Sequence, residues 1–395
     1  MNSSTSLYSQ RGVSAQKEDV HTAIENLEQG LFPYAFCKMY PDYLGNDDNF
    51  INISHADGAG TKSILAYLYF KQTGDISVFE GIAQDAIVMN LDDLLCVGIF
   101  DNILFSSTID RNKSLIDGKI LQAIINGNQS FFQKLKNYNV NINYVGGETA
   151  DVGDIVRTIA VNGTMTARWA KNKIVSNELI DEGQVIVGFA SSGQATYETE
   201  YNSGIGSNGL TSARHDVLNK SYATNFPESF EPTLKNEVVY IGNQLLTNEV
   251  EVNGTKTNIG KLLLSPTRTY APLMVEILQN HFSEVYGIIH CSGGGQTKCM
   301  KYLPKPLHIV KDNLFEIPPI FKIIQENSGA SFKEMYEVFN MGHRLEIFTN
   351  QTAANKMIAI ANTLNIEAKI IGRVEAPINN QKKLTVKGSF GEINY

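Results

Sequence analysis

Apolar residues in the first half of the chain follow two periods, and each period predicts one kind of element. Continuous or alternating apolar runs predict strands, and these runs cover residues 50–56, 103–109, 141–145 and 155–169. Apolar residues at helical spacing predict helices, which cover residues 63–71, 78–95 and 115–138. The last of these strands contains Gly163, where we expect a β-bulge, because an interior glycine often marks an irregularity in a strand.

The second half of the chain shows the same mixture of elements. Strands are predicted over residues 184–190, 284–290, 344–349 and 368–374, and helices over residues 211–220, 271–280 and 352–364. The polar stretch over residues 170–183 has no periodicity, so we divide the chain into predicted domains 1–175 and 176–395. Long insertions interrupt the strands, which do not follow a strict βαβ rhythm. The pattern therefore favours an α+β fold over a doubly wound sheet.

Composition narrows the classes of function. The 395 residues fit two domains or one large domain, and 43% hydrophobic residues are enough for a buried core. Lys and Arg number 33 and Asp and Glu number 41, which gives a net charge of −8. This mildly acidic balance argues against broad binding of nucleic acid or of a membrane surface. A local cationic pocket for phosphate remains compatible with it.

Targeting features point to the cytoplasm. No apolar stretch approaches the ~20 residues of a membrane-spanning helix, and the first ten residues lack the apolar core of a secretory signal. The four cysteines have no CxxC spacing, which is typical of scattered reduced thiols. We therefore expect a cytoplasmic protein that does not bind a membrane.

The strongest local motif joins the first predicted strand to the first predicted helix, where the chain runs Asp57-Gly58-Ala59-Gly60-Thr61-Lys62. Glycines let the backbone approach an anion closely, and a helix N-terminus offers free N–H groups to phosphate. Lys62 would add a positive charge, and Asp57 would hold Mg²⁺. The spacing is neither that of a Walker A loop nor GxGxxG. A glycine-rich turn with an exposed lysine explains the motif equally well.

Two further acidic motifs follow in the same half. Asp92 and Asp93 lie next to each other near the end of a predicted helix, where a solvated helix face is the simpler interpretation. Gly146, Gly147 and Glu148 follow an apolar strand, where an ordinary tight turn explains them as well as a site does. Together, Asp57, Asp93 and Glu148 would form a hard oxygen cage for Mg²⁺–ATP. The spacing alone leaves open whether the three acids meet.

The second half contains glycine and serine segments of the same ambiguous kind. Ser292 precedes Gly293, Gly294 and Gly295, a run that nests an anion or serves as a hinge. The segments at 191–193 and 207–209 are more often turns than binding loops. Arg268 and His343 are candidates for phosphate binding and for a general base, although an isolated arginine is usually a surface charge and a lone histidine is usually structural. No nucleophilic triad and no zinc spacing stands out.

The order of these motifs is more specific than any one of them. DGAGTK, LDDL, GGETAD, SSG, SNG, LLSPTRTY, SGGG and EMYEVFNMG follow one another along the chain. This series resembles the phosphoribosylformylglycinamidine cyclo-ligases, also called aminoimidazole ribonucleotide synthetases, from about residue 57 to residue 342. The resemblance implies a two-domain PurM-like α+β fold whose N-terminal sheets complete a β-barrel across a homodimer. It also implies ATP-dependent, Mg²⁺-dependent closure of formylglycinamidine ribonucleotide to aminoimidazole ribonucleotide in purine biosynthesis, with ADP and phosphate released.

The resemblance also implies roles for individual residues. The catalytic residues would be Lys62, Asp93 and Glu148, and the metal ligands would be Asp57, Asp93 and Glu148. The nucleotide would contact a larger set, in glycine-rich loops of both halves: Asp57, Gly58, Gly60, Thr61, Lys62, Gly146, Gly147, Asn208, Gly294 and Gly295. The implied partners are the ribonucleotide substrate and a second copy of the chain, without nucleic acid.

Three departures from the family pattern leave alternatives open. The family commonly runs SSG-Pro-His-Ser-Asn-Gly, whereas this chain has an insertion at 194–206 and lacks the histidine. Asp92 stands where the family usually has Asn, and residues 31–39 replace a glycine-rich segment. The alternatives are another ATP-using enzyme of the superfamily, such as thiamine-monophosphate kinase or selenophosphate synthetase, and a non-catalytic nucleotide-binding homologue.

Overall fold

The computed structural model describes residues 7–14, 22–23, 26–252 and 254–395, and within them the chain forms two main sheets. The first six residues of the polar N-terminal segment lie outside the described residues. None of the helices in the described ranges is long and apolar enough to cross a membrane.

The described strands divide between two main sheets and one hairpin. In chain order they are β1 (Tyr40–Pro41), β2 (Phe50–Gly58), β3 (Ile103–Arg111), β4 (Ile142–Asp151), β5 (Ile159–Ala170), β6 (Val185–Ala190), β7 (Glu249–Val252), β8 (Thr255–Asn258), β9 (Gly287–His290), β10 (His308–Lys311), β11 (His343–Thr349), β12 (Ala368–Glu375), β13 (Lys383–Gly388) and β14 (Gly391–Asn394).

The described α-helices lie mostly between these strands. In chain order they are α1 (Leu7–Gln10), α2 (Lys62–Thr73), α3 (Val78–Leu95), α4 (Gly118–Lys136), α5 (Leu210–Val217), α6 (Ser221–Asn225), α7 (Ile259–Leu263), α8 (Ala271–Asn280), α9 (Pro319–Ser328), α10 (Phe332–Val338) and α11 (Gln351–Thr363).

The five-stranded sheet has the order β1-β2-β5-β3-β4, and its only parallel pair within the described residues is β3 with β4. Burial alternates along β3 and β5, as expected for strands with one covered face. The opposite face is open and presents Leu104 and Val145, which are 45% and 57% exposed. This sheet therefore has one face without a partner in the chain.

Every residue of helix α3 is buried except the exposed Glu80 and the half-buried Gln84. Burial on all sides is typical of a helix in the interior of a protein rather than on its surface. It packs against β2 and β5 and also against α8 of the second half. The chain from β6 onward supplies the seven-stranded sheet, ordered β14-β13-β10-β12-β6-β11-β9. The predicted boundary at 175/176 falls between β5 and β6 and stays a prediction.

Most predicted elements match observed ones, and the predictions at 78–95 and 271–280 match α3 and α8 residue for residue. The strand predicted over 141–145 was too short, because β4 continues through the glycines to Asp151. A register shift between Phe105 and Ser107 on β3 absorbs the irregularity at these glycines. The segment predicted to be a loop after the strand is therefore part of the sheet.

The bulge predicted at Gly163 was wrong. Gly163 pairs in regular register with Asp57 on β2 and Ser107 on β3. A Cβ atom at this position would lie 2.3 Å from the Phe105 ring. The glycine is required by side-chain packing, not by a change of register.

We predict that Gly163→Ala lowers the free energy of unfolding by about 1–3 kcal/mol, because Phe105 is fully buried and the added methyl overpacks the core. Urea denaturation monitored by circular dichroism measures the change. Gly118→Ala is the matched control, since a Cβ there meets no atom within 4 Å; we expect it to change stability by less than about 1 kcal/mol. Equal effects of the two substitutions would contradict this account of Gly163.

Candidate active site

Loops from both halves meet above the C-terminal end of β2. Thr61 and Thr211 join the two halves through their hydroxyls, which lie 2.9 Å apart. Asn208 contacts the Sδ atom of Met89 on α3, with its amide nitrogen at 3.8 Å. A Cβ on Gly293 would lie 3.4 Å from the Asn208 Oδ1 atom. The structure therefore brings Thr61, Asn208 and the 292–295 segment together where the two halves meet, a place that we call the groove.

The predicted phosphate-binding glycines divide into two kinds. Gly60, Gly146 and Gly294 have φ angles of 58°, 104° and 96°, and a Cβ on any of them would clash with no neighbouring atom. Space is therefore open where a side chain would project, and the left-handed conformation favours glycine.

The other predicted glycines are explained by packing. A Cβ on Gly58 would lie 2.1 Å from Asn162, one on Gly147 would lie 1.9 Å from the Ser107 carbonyl oxygen, and one on Gly295 would lie 2.5 Å from the Tyr336 carbonyl oxygen. Their lack of a side chain is therefore a requirement of the fold and does not by itself indicate ligand contact.

The interpretation of Lys62 as an exposed lysine in a glycine-rich turn was wrong, whereas its role toward the nucleotide stays a prediction. Its side chain is fully buried, and its ammonium group donates to Asp85 at 2.9 Å and to the Ser265 carbonyl at 2.5 Å. Burial lowers the pKa of Lys62, an effect that the neighbouring Asp85 carboxylate opposes. Asp85 also accepts hydrogen bonds from the backbone and hydroxyl of Thr267. The lysine therefore holds the two halves together.

Arg268, the candidate for phosphate binding, and Arg344 are also interior groups. Arg268 forms a two-pronged ion pair with Glu198, at 3.0 and 2.5 Å, and donates to the carbonyls of Ala190 and Ser192. Arg344 is 1% exposed and reaches Asp92 at 3.4 Å. The insertion thus supplies Glu198 as the counter-ion of Arg268. Neither arginine presents its charge to a surface phosphate.

The adjacent acids of α3 face different partners. Asp92 is completely buried, accepts from the Thr269 hydroxyl at 2.7 Å and receives the Tyr270 backbone N–H. Burial raises the pKa of Asp92, although His290, Arg344 and these hydrogen bonds oppose the shift. The solvated helix face that the sequence suggested for this pair was wrong.

Asp93 sits between two histidines. Its Oδ1 accepts from His290 Nδ1 at 2.6 Å, and its Oδ2 lies 3.3 Å from His55 Nε2. Burial alone would raise the pKa of Asp93, but the hydrogen bonds with His290 and His55 hold that pKa well below its usual range. The carboxylate is therefore charged and fixed in orientation.

Hydrogen bonds also fix the proton positions on both histidines. Arg344 donates to His290 Nε2 at 3.0 Å, so His290 carries its proton on Nδ1. The Asn90 amide nitrogen donates to the carbonyls of Asp57 and Gly163, which leaves its oxygen to accept from His55 Nδ1 at 3.0 Å. Burial alone would lower the pKa of His55, but the hydrogen bonds with Asp93 and Cys37 raise it to about 12.

Asp57 and Glu148 lie on opposite faces of the five-stranded sheet. Gly58, Asn162, Thr108 and Glu148 form one row across β2, β5, β3 and β4. Because side chains alternate along a strand, Asp57 points to the helix-covered face and Glu148 to the open face. The strands that carry them, β2 and β4, are three strand spacings apart, which is about 14 Å at ~4.8 Å per spacing. Within the described ranges, Asp57, Asp93 and Glu148 do not form a ligand cluster.

Sequence reasoning missed the histidines around Asp93. His55 precedes Asp57 by two residues on β2, so the strand period alone places both on the same face. His290 and Asn90 carry no comparable signal, because their contacts join elements far apart in the chain. His343 is buried against Glu346 at 2.8 Å, with Lys311 on the same carboxylate; the structural interpretation of this histidine holds.

Comparison with known proteins identifies the family to which this chain belongs. Residues 45–169 match the model of the AIR synthase related protein N-terminal domain, and residues 181–380 match the corresponding C-terminal domain. A curated phosphoribosylformylglycinamidine cyclo-ligase from Methanocaldococcus jannaschii is 32% identical over 352 residues, which cover 89% of this chain and 83% of the relative. This chain belongs to the AIR synthase related, cyclo-ligase family. Its two sheets and their helices are the PurM-like α+β fold of that family.

More distant similarities agree with this family. A cyclo-ligase from Pyrococcus horikoshii is 27% identical to this chain over 398 residues, with 96% of this chain and 97% of that protein covered. The solved structure of AaThiL complexed with AMPPCP and TMP has a TM-score of 0.52 at 12% identity and covers 93% of this chain and 91% of that chain. At this identity the structural similarity shows a shared fold and nothing about activity.

We predict that Lys62→Met lowers the free energy of unfolding by about 3–5 kcal/mol, because it leaves the buried Asp85 without its cation. Chemical denaturation measures the loss. Lys113→Met is the control, since its ammonium group is 70% exposed in a pair with Asp151, and we expect a change below about 1 kcal/mol. Full stability of Lys62→Met together with weakened ATP binding would show instead that the ammonium group faces the nucleotide.

Proposed function

We propose that this protein is an ATP-dependent phosphoribosylformylglycinamidine cyclo-ligase of purine biosynthesis that acts in the cytoplasm. The observation that carries the proposal is the match to curated cyclo-ligases over nearly the whole length of both chains. The groove between the halves supports it, because its open glycines and hydroxyls suit a phosphate-bearing ligand.

The proposed reaction consumes formylglycinamidine ribonucleotide and ATP. The formyl amide oxygen attacks the γ-phosphorus and ADP leaves. The amidine nitrogen then attacks the carbon that carries the phosphorylated oxygen, and phosphate departs as the imidazole ring closes. This chemistry needs firm positioning and neutralised phosphate charge, with little covalent help from the protein. A groove of glycines, hydroxyls and carboxylates fits that requirement.

Within this proposal the nucleotide lies against Gly60, Thr61, Asn208 and Gly294. Asp57 points to the helix-covered face of the sheet, and Asp93 lies on α3, which packs against that face. In this proposal the two carboxylates would hold Mg²⁺, which prefers oxygen ligands. Asp93 suits the task because its pKa is held low and its orientation is fixed by His290. When bound, Mg²⁺ would neutralise charge on the phosphates. We leave Lys62 out of the nucleotide site because its ammonium group is enclosed.

Glu148 lies away from Asp57 and Asp93, so we give it a place at an interface between two copies of the chain. It lies on the open sheet face, which carries exposed Leu104 and Val145. We propose that a second copy of the chain covers this face, which would bring Glu148 and Gly146 into the interface between copies. Apolar side chains that stay exposed together on one face often mark a contact with another protein chain.

We expect the purified protein to convert formylglycinamidine ribonucleotide to aminoimidazole ribonucleotide with one ADP released per product when ATP and Mg²⁺ are present. Coupled ADP detection and chromatography of the product measure the reaction. ATP binding without turnover would favour a non-catalytic homologue, and turnover with thiamine monophosphate instead would favour a kinase.

The same assay on the Asp57→Asn variant tests the metal ligand. We expect a higher Mg²⁺ concentration at half-maximal activity, because one carboxylate ligand is lost. Asp48→Asn is the matched control, since Asp48 is an exposed aspartate near the start of the same strand. An unchanged Mg²⁺ requirement in Asp57→Asn would remove Asp57 from the metal site.

We also expect the protein to be a dimer, with twice the chain mass by light scattering after size exclusion. Leu104→Glu should shift it toward the monomer, because it places a charge on the open sheet face. Leu179→Glu, at another leucine that is 64% exposed, should leave the dimer intact. A monomeric wild-type protein, or equal effects of the two variants, would contradict the interface.

A further inference from the structure

Beside the groove, Asp93 lies next to a thiol and an imidazole that the proposed reaction does not use. Cys37 Sγ, His55 Nε2 and a carboxylate oxygen of Asp93 all lie within 4.8 Å of one another. They come from three separate segments, namely the chain before β1, strand β2 and helix α3. Cys37 also donates to the backbone carbonyl of Asp93 at 3.2 Å. The fold thus brings a thiol, an imidazole and a carboxylate together.

The orientation of the His55 imidazole is fixed by the hydrogen bond of its other ring nitrogen with Asn90. Asn90 fixes the proton of His55 on Nδ1, so Nε2 is the atom presented to Cys37 and Asp93. A ligating histidine is usually held by just such a hydrogen bond on its other nitrogen. His290 cannot join the set, because its Nδ1 proton is given to Asp93 and its Nε2 accepts from Arg344.

The cluster is enclosed on one side and open on the other. Cys37 is 4% exposed, whereas the side chains of His55 and Asp93 are 21% and 13% exposed. An ion could therefore enter from the His55 side and keep one coordination position for solvent. The second such cluster in the described residues, Cys291, His343 and Glu346, is fully buried and already has the Lys311 ammonium group on Glu346.

The donor set distinguishes between metals. Thiolate and imidazole ligands select Zn²⁺ and similar ions, whereas Mg²⁺ prefers oxygen ligands alone. We propose that Cys37, His55 and Asp93 form a binding site for a thiophilic divalent metal ion, with Zn²⁺ as the type and with the fourth position open. This site shares Asp93 with the proposed Mg²⁺ site, but its test measures a metal–sulfur bond and not turnover, so its failure would leave the proposed function unchanged.

Metal binding at this site would exchange protons for metal bonds. The Cys37 thiol would lose its proton as a metal–sulfur bond forms, and His55 Nε2 would lose its proton as a metal–nitrogen bond forms. Burial raises the pKa of the Cys37 thiol, so without metal the thiol stays neutral and the His55–Asp93 pair supplies the local charge balance. The metal replaces both protons and takes the carboxylate as its third ligand.

Titration of the full chain with Co²⁺, after chelator treatment and in a buffer without thiols, tests the site. We expect one equivalent of Co²⁺ to produce a sulfur-to-metal charge-transfer band in the near ultraviolet and tetrahedral d–d bands in the visible. Zn²⁺ should displace the Co²⁺ and remove these bands. A wild-type protein that gives no charge-transfer band overturns the proposal.

Variants assign the sulfur and the imidazole. Cys37→Ser should abolish the charge-transfer band, whereas Cys96→Ser, at another buried thiol outside the cluster, should retain it. Asn90→Ala keeps all three ligands and should weaken Co²⁺ binding on the order of 10- to 100-fold. This variant keeps the test decisive if Cys37→Ser does not fold. A band that survives Cys37→Ser, or an affinity unchanged in Asn90→Ala, would place the metal elsewhere.

Discussion

Three carboxylates on one buried helix must each find a partner, and this requirement organises the protein. Asp85, Asp92 and Asp93 lie along α3, and burying a charge without compensation costs several kcal/mol. The second half of the chain supplies the partners through residues 267–270, His290 and Arg344. Through these buried ion pairs and hydrogen bonds, the helix fixes how the two halves meet.

In this arrangement, one set of residues holds the two halves together, and a different set is available to bind a ligand. The cationic side chains of Lys62, Arg268 and Arg344 are buried and pair with groups in the interior. The groove keeps smaller groups, namely open glycines, the hydroxyls of Thr61 and Thr211, and the Asn208 amide. Phosphoryl transfer and ring closure depend on position and electrostatics more than on a nucleophile. A rigid frame with a small, polar groove suits that kind of chemistry.

The sequence predicted the α+β fold and most elements because periodicity depends on local burial. The order of motifs also predicted a nucleotide site that includes Gly60, Thr61, Asn208 and Gly294, and this site stays a prediction. The sequence could not show that Lys62 turns inward, since Asp85 and Ser265 become its neighbours only through tertiary contacts. It also could not assign a sheet face to Glu148, because that depends on β4 continuing past its glycines in register with β3.

The most direct test of this account is a crystal structure with a non-hydrolysable ATP analogue and Mg²⁺. We expect the triphosphate beside Gly60, Thr61 and Gly294, with Mg²⁺ on Asp57 and Asp93 and with Lys62 still bound to Asp85. A nucleotide bound outside the groove, or a Lys62 ammonium group that leaves Asp85 for the phosphates, would contradict it.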